Sequence, residues 1–224
     1  MQSCANRAEL AVGNRPAALF DVRLYPPDRP RAGVEDYIAR RYAQCHDARV
    51  SGFMPWLLAA QRGETFASAL GFRPAGAGTL FLERYLESPI EGAIACAMRQ
   101  PVQRGSVVEI GNLAATSQRA SRLLITLLVE ALGRRGLRWI VFTATRQVRE
   151  LIRDMGFALR VLAPADPARL GQERAAWGRY YDAEPMLTVG DLAIGGRLIR
   201  RQPALAAQLA GYADALDVIA AAPW

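Results

Sequence analysis

The chain has 224 residues, 51% of them apolar and 22% charged, which suffices for one full domain with a real core plus a further element. Its formal charge of +7 is carried without lysine, all 28 cationic side chains being arginine. Schiff-base and phosphate-loop lysine chemistry are thereby excluded, and with them pyridoxal enzymes and P-loop nucleotidases.

No apolar run reaches the roughly 18 to 20 residues that cross a bilayer. Met1 to Leu19 has neither the basic start nor the long apolar stretch of a secretory signal, so a soluble, cytoplasmic chain is expected. Cys4, Cys45 and Cys96 are widely spaced with no CxxC pattern, and neither a metal centre nor a disulfide framework is expected. Cys96 reads as a small core residue, and His46, the only histidine, as a surface or helix-end residue.

In chain order, Leu19 to Leu24 alternates as a first strand, ended by Pro26-Pro27. Val34 to Ala48 carries apolar residues three to four apart and predicts a helix. Phe53 to Gln61 reads as a short helix or a buried crossing segment, and Thr65 to Phe72 as a strand. Thr79 to Leu86 fits a strand or a short helix; Ile90 to Met98 fits a strand or strand edge. Val107 to Ala115 is an apolar strand carrying one carboxylate, Glu109, and a polar turn over Thr116 to Arg122 leads into a leucine-rich helix. Trp139 to Thr145 is a further strand, followed by a helix ending at Met155-Gly156-Phe157. Leu159 to Leu162 predicts a strand, Ala168 to Arg174 a short helix, and residues 203–222 one Ala/Leu-rich helix starting at Pro203. The organisation expected is one domain over residues 15–200 and a terminal helix over residues 201–224.

Strand, amide-rich turn, helix, strand, helix is a layout that can grip a pyrophosphate, which needs convergent backbone N–H groups and the positive end of a helix. Small residues at Ala114, Ala115, Ala120 and Ser121 suit close approach, and Arg119 and Arg122 can pair with phosphate oxygens. Between Thr116 and Arg160 nine arginines face three acids, a balance that suits coenzyme A or an acidic acyl carrier protein. Aromatics are few there and no nucleic-acid motif occurs, so nucleic acid is not an expected partner. Glu109, with Gly111 and Leu113 on one face by alternation, is a candidate base whose pKa burial would raise. The plainer reading pairs Glu109 with a core arginine and leaves the turn a simple connection with solvated arginines. Trp177, Tyr180 and Tyr181 form an aromatic cluster that is either core or an acyl-channel wall, with a phenol able to protonate a leaving thiolate.

Three stretches carry a resemblance: Glu109-Ile110-Gly111-Asn112-Leu113-Ala114, Trp139-Ile140-Val141-Phe142-Thr143-Ala144-Thr145 and Trp177-Gly178-Arg179-Tyr180-Tyr181. With Phe81 to Leu86, Pro89-Ile90-Glu91 and Val189-Gly190-Asp191, they make the chain resemble the bacterial thermostable hemolysin family from about Phe20 to Gly195. That family in turn looks like the GCN5-related N-acetyltransferase (GNAT) superfamily and the acyl-homoserine lactone synthases. The resemblance implies an α/β (α+β) fold: a mixed, bent central sheet splayed at its middle, flanked by helices, with a C-terminal helical appendage. It also implies an N-acyltransferase taking an acyl group from acyl-CoA, or from the acyl-phosphopantetheine of an acyl carrier protein, to a small amine, without metal. By the same resemblance Glu109 is the base. Leu113, Ala114 and Ala115 meet the pantetheine arm, and Gln118, Arg119, Ala120, Ser121 and Arg122 form the pyrophosphate loop. The loop lacks the glycines usual in GNAT enzymes, which leaves a carrier-protein donor open. Ile152 stands where many have a tyrosine acid, leaving Tyr181 or Tyr180, or solvent, for that role. Two other readings remain: a non-catalytic GNAT-like binding domain, and a membrane-active protein as the family's name suggests, for which no long basic amphipathic helix is present.

Overall fold

The computed structural model describes residues 19–224; the expected domain start at residue 15, and Cys4, lie outside the described residues. Seven strands form one sheet: β1 (Asp21–Tyr25), β2 (Trp56–Arg62), β3 (Thr65–Pro74), β4 (Val107–Ala115), β5 (Trp139–Ala144), β6 (Leu159–Pro164) and β7 (Met186–Asp191), in the order β1-β2-β3-β4-β5-β7-β6. Every neighbouring pair is antiparallel except β4 and β5, which run parallel. The helices are α1 (Ala32–His46), α2 (Ile90–Met98), α3 (Gln118–Arg134), α4 (Arg146–Asp154), α5 (Leu192–Arg201), α6 (Pro203–Ala210) and α7 (Ala213–Ala221). The mixed, helix-flanked sheet expected from the resemblance is therefore present.

Alternation along the strands divides the core between the two faces of the sheet. Val108, Leu58, Leu70 and Phe72 point to the face covered by α3, α5 and α7, where Leu123, Leu124, Leu127 and Leu128 of α3 are buried. On the other face α1 lays Val34 and Ile38 against Leu57, Ala59 and Ala69, while α2 and short 3-10 turns cover Val107, Trp139, Val141, Leu187 and Val189. The leucine pattern of α3 predicted this correctly, and Ser117 caps the helix by accepting from the Ala120 amide at 3.3 Å.

Four expectations are corrected. Phe53 to Gln61 contains a strand, β2, with Trp56 to Gln61 all buried; a central strand packed on both faces loses the alternation that distinguishes it from a helix. Ile90 to Met98 is a helix, started behind Pro89 and ended by Arg99 in the left-handed conformation. Its exposed Cys96 is not a core residue. The short helix expected over Ala168 to Arg174 is present, in 3-10 form, and turns at Gly171, whose φ is 55°. The terminal segment is two helices, not one: α6 and α7 meet at 77°. The break lies at Gly211-Tyr212, and the Tyr212 hydroxyl accepts the Phe20 amide at 3.1 Å. α7 then buries Leu216 and Ile219, and Trp224 sits edge-on to Phe72 at 5.6 Å beneath the Arg135 guanidinium. Among the described residues no single helix is long and apolar enough to cross a membrane.

The segment left open between strand and helix, Thr79 to Leu86, holds a 3-10 turn over Phe81–Tyr85 fixed by Arg104. That guanidinium donates to Glu83 through Nη1 (2.6 Å) and Nη2 (2.9 Å), to Glu91 at 2.9 Å, and to the carbonyls of Ala75 and Gly78. Glu83 also accepts the amides of Leu80 and Ile90. Hydrogen bonds from Arg104 hold the Glu83 carboxyl at about 2, down from 4.5. A carboxyl depressed in the folded state stabilises fully above its ordinary pKa and loses that contribution as pH falls towards the folded value. Stability should therefore drop between pH 5 and pH 2, and Glu83→Gln should flatten that part of the profile in urea titrations run across it.

Candidate active site

β4 and β5 are paired only from Val107↔Trp139 to Ile110↔Phe142. Beyond that point β4 stays with β3 on its other side, matching Gly71↔Gly111, Ala69↔Ala114 and Ser68↔Ala115. Among the described residues, one edge of β4 from Gly111 to Ala115 thus has no strand beside it. The cause is local. The register slips by one residue between Ala69 and Gly71, and Asn112 takes up the slack as a bulge with φ 53°. Its side chain holds the bulge: Oδ1 accepts the Met54 amide at 2.7 Å and Nδ2 donates to the Gly52 carbonyl at 3.3 Å. Met54 then lies across the glycine pair, since a Cβ on Gly71 or Gly111 would come within 2.5 and 2.6 Å of its side chain.

The bulge also changes which side chains share a face. Glu109, Gly111 and Leu113 were expected together; instead Leu113 joins Ile110 in the α3 core while Glu109 points to the opposite face. There its carboxylate, 2% exposed, accepts the amides of Phe81 (3.0 Å) and Leu82 (2.9 Å), capping the 3-10 turn. Burial raises its pKa, against the pull of those two amides. Among the described residues no arginine pairs with it directly. Glu109→Ala should leave both amides without an acceptor and cost about 2–4 kcal/mol in chemical denaturation.

The gap between the strands opens a cavity of about 630 Å³ that reaches both faces of the sheet. Its helix side is apolar, with Ile110, Ile125, Leu128, Ile140, Phe142 and Leu151; its other side carries Arg41, Tyr42, Cys45 and His46 from the end of α1, with Tyr180. Of the residues predicted from sequence, Leu113, Ala114, Ala115, Gln118 and Ser121 line it. Glu109, Arg119, Ala120, Arg122 and Tyr181 do not: Arg119 is exposed, Arg122 half-buried, and Ala120 fully buried in the core. The turn is tied down, because the amides of Thr116 and Ser117 both donate to the Ala67 carbonyl. Ser68 Oγ bonds the Ala114 carbonyl and Ser121 Oγ, fastening the first turn of α3 to β3 and β4.

The aromatic cluster divides at this cavity. Tyr181 shares a short hydrogen bond with Tyr85 outside it, and burial drives its pKa far up. Tyr180 lines the cavity and donates to the Thr143 carbonyl at 3.4 Å. Burial lifts Tyr180 well above the usual phenol range and pushes Tyr42 up to about 12, so both phenols stay protonated at neutral pH. Thr143 Oγ1, also on the cavity wall, is buried with no hydrogen-bond partner among the described residues. The sequence reading missed Asn112, Thr143 and the α1 group. An isolated Asn inside an apolar strand was the available signal for the first.

The Tyr180 segment is stapled to the end of α1. The Arg49 backbone amide donates to the Ala176 carbonyl at 2.6 Å, and the Arg179 backbone amide to the His46 carbonyl at 2.7 Å. Gly178 fits between, with φ 51°, where a Cβ would lie 2.4 Å from the carbonyl oxygens of His46 and Asp47. Gly178→Ala should cost about 2 kcal/mol or more in urea unfolding, through the combined clash and positive φ.

The sequence profile of the thermostable hemolysin family matches residues 25–195. The chain belongs to that family. No curated protein matches the sequence. Among solved structures, the acyl-homoserine lactone synthase LasI aligns with a TM-score of 0.55 and 10% identity over 79% of this chain and 91% of its own. BjaI, a CoA-dependent acyl-homoserine lactone synthase solved with SAM and isopentyl-CoA, gives 0.53 and 12% over 87% and 99%. FeeM, an N-acyl amino acid synthase from uncultured soil microbes, gives 0.52 and 12% over 76% and 88%. At these identities the likeness is one of fold: this thermostable hemolysin family member has the GNAT-like architecture of the acyl-homoserine lactone synthases.

Proposed function

We propose that this protein is an N-acyltransferase that moves an acyl group from a CoA or acyl-carrier-protein thioester to a small amine. The observation carrying the reading is the parting of β4 and β5, which leaves a strand edge beside a cavity of about 630 Å³ at the start of α3. An extended pantetheine arm can add to such an edge through main-chain hydrogen bonds along Gly111 to Ala115, much as a peptide strand adds to a sheet. The apolar side of the cavity, towards α3 and α4, then takes the acyl chain, and the α1 side takes the amine. The names of LasI, BjaI and FeeM, which share the fold, all describe acyl products.

In this arrangement the thioester carbonyl lies along the β4 edge, whose amides are aimed where negative charge develops during attack. Tyr180, a protonated phenol on the cavity wall, is the side chain placed to protonate the departing thiolate. Glu109 acts by holding the Phe81–Leu82 turn and does not line the cavity. Gln118 and Ser121 border the cavity at the pyrophosphate end, with Arg119 and Arg122 adding positive charge outside it. Because the Thr116 and Ser117 amides already bond to Ala67, the pyrophosphate grip is thin. That favours a donor held mainly by its pantetheine arm, which coenzyme A and a carrier protein share.

The protein should release free thiol from acyl-CoA or an acyl carrier protein in the presence of amines, followed with a thiol-reactive dye over a panel of chain lengths. Ala115→Trp, which fills the cavity beside β4, should weaken donor binding at least tenfold with the circular dichroism unchanged. Thiol release and donor-induced thermal shift both absent with every donor would favour a cleft that binds something else.

A further inference from the structure

The α1 side of the cavity holds the chain's one histidine, at the last position of the helix. His46 is half-buried and lines the same cavity as the free edge of β4. Its ring stands edge-on to Tyr180 at 5.2 Å between centroids and lies 5.9 Å from Tyr42. The hydrogen bond that fixes it runs through its backbone carbonyl to Arg179, and its ring nitrogens have no partner among the described residues. Such an imidazole is oriented by the main chain and by aromatic packing, yet keeps both nitrogens available.

Its charge state suits a proton acceptor. Burial, assisted by the nearby Arg179 guanidinium, lowers the imidazole pKa below its ordinary 6.5, so it is neutral at pH 7. The charged and titratable groups nearest it are Arg41, Tyr42, Cys45 and Asp47 from α1 and its cap, and Arg179 and Tyr180 from the stapled segment. β5 and α4 present only uncharged side chains to the cavity, such as Thr143 and Gln147.

We infer that His46 is the general base of the acyl transfer, taking the proton of the attacking amine on the α1 side of the cleft. This rests on the acyltransferase reading. The amine nitrogen forms its bond to the thioester carbonyl carbon while an N–H proton passes to the imidazole. The tetrahedral intermediate then collapses, the C–S bond breaks, and the departing sulfur leaves with a proton returned from the imidazolium or supplied by Tyr180. When Tyr180 donates, the imidazolium reprotonates that phenol, so the sum is thioester plus amine giving amide plus thiol.

A base of this kind contributes about 10²- to 10⁴-fold. With any donor and amine that release thiol, the wild type should show an acid limb in kcat/KM at the imidazole pKa. The same pKa should appear in the titration of the single histidine ring signal by NMR. His46→Gln should lower kcat by at least about 100-fold, remove that limb and leave the donor-induced thermal shift intact. A variant that keeps the limb, or loses less than tenfold in kcat, overturns the assignment while the acyltransferase reading stands. A wild type that releases no thiol from any donor overturns both.

Discussion

The site depends on one strand irregularity. Asn112 adds a residue to β4 against β3, and its side chain ties the bulge to the segment at Gly52 to Met54. The extra residue turns β4 away from β5 after four paired positions, and everything placed in the cleft follows from that divergence. Met54 in turn needs glycine at both Gly71 and Gly111 to lie flat across the pair. A polar bulge, a methionine and two glycines thus form one mutually dependent unit in the middle of the sheet. Replacing any member presses on the others, as core packing at close-packed density requires.

Around that unit the molecule is heavily braced. Ser68 and Ser121 join the start of α3 to the sheet, Arg104 gathers the 3-10 turns under β4, and Arg149 returns from α4 to the Ala144 carbonyl at the end of β5. Arg104 serves as a multi-bond brace, which its planar, forked guanidinium allows and a lysine would not. The absence of lysine is thus accommodated structurally: several of the cations counted as surface charge are internal ties to backbone carbonyls.

Much of the fold was legible from sequence because its pieces obey simple periodicities. The leucine stripe of α3, the apolar runs of β4 and β5 and the Gly156-Phe157 ending of α4 each announce themselves. What was not legible has physical reasons. β2 is packed on both faces and so carries no alternation. α2 is built mostly of Ala, Ile and Gly, whose pattern fits a strand edge as well as a helix. The terminal bend arises from a tertiary bond between Tyr212 and the Phe20 amide, 192 positions apart. The face of Glu109 was read correctly only up to the bulge, and alternation beyond Asn112 misplaced Leu113. The α1 side of the site was invisible for a different reason: His46 and Tyr180 are far apart in the chain and meet through backbone bonds that no side-chain pattern encodes.

The staple at Gly178 means that the two walls of the cleft are held by unlike means. One wall is main chain, the bare edge of a bulged strand, and its chemistry is the same whichever side chains surround it. The opposite wall is a helix end and an aromatic loop locked together by carbonyl contacts, so that their side chains can be exchanged without disturbing the frame. Under the proposed acyl transfer, preference for the incoming nucleophile is free to drift within a lineage built on this scaffold while the grip on the carrier arm stays constant.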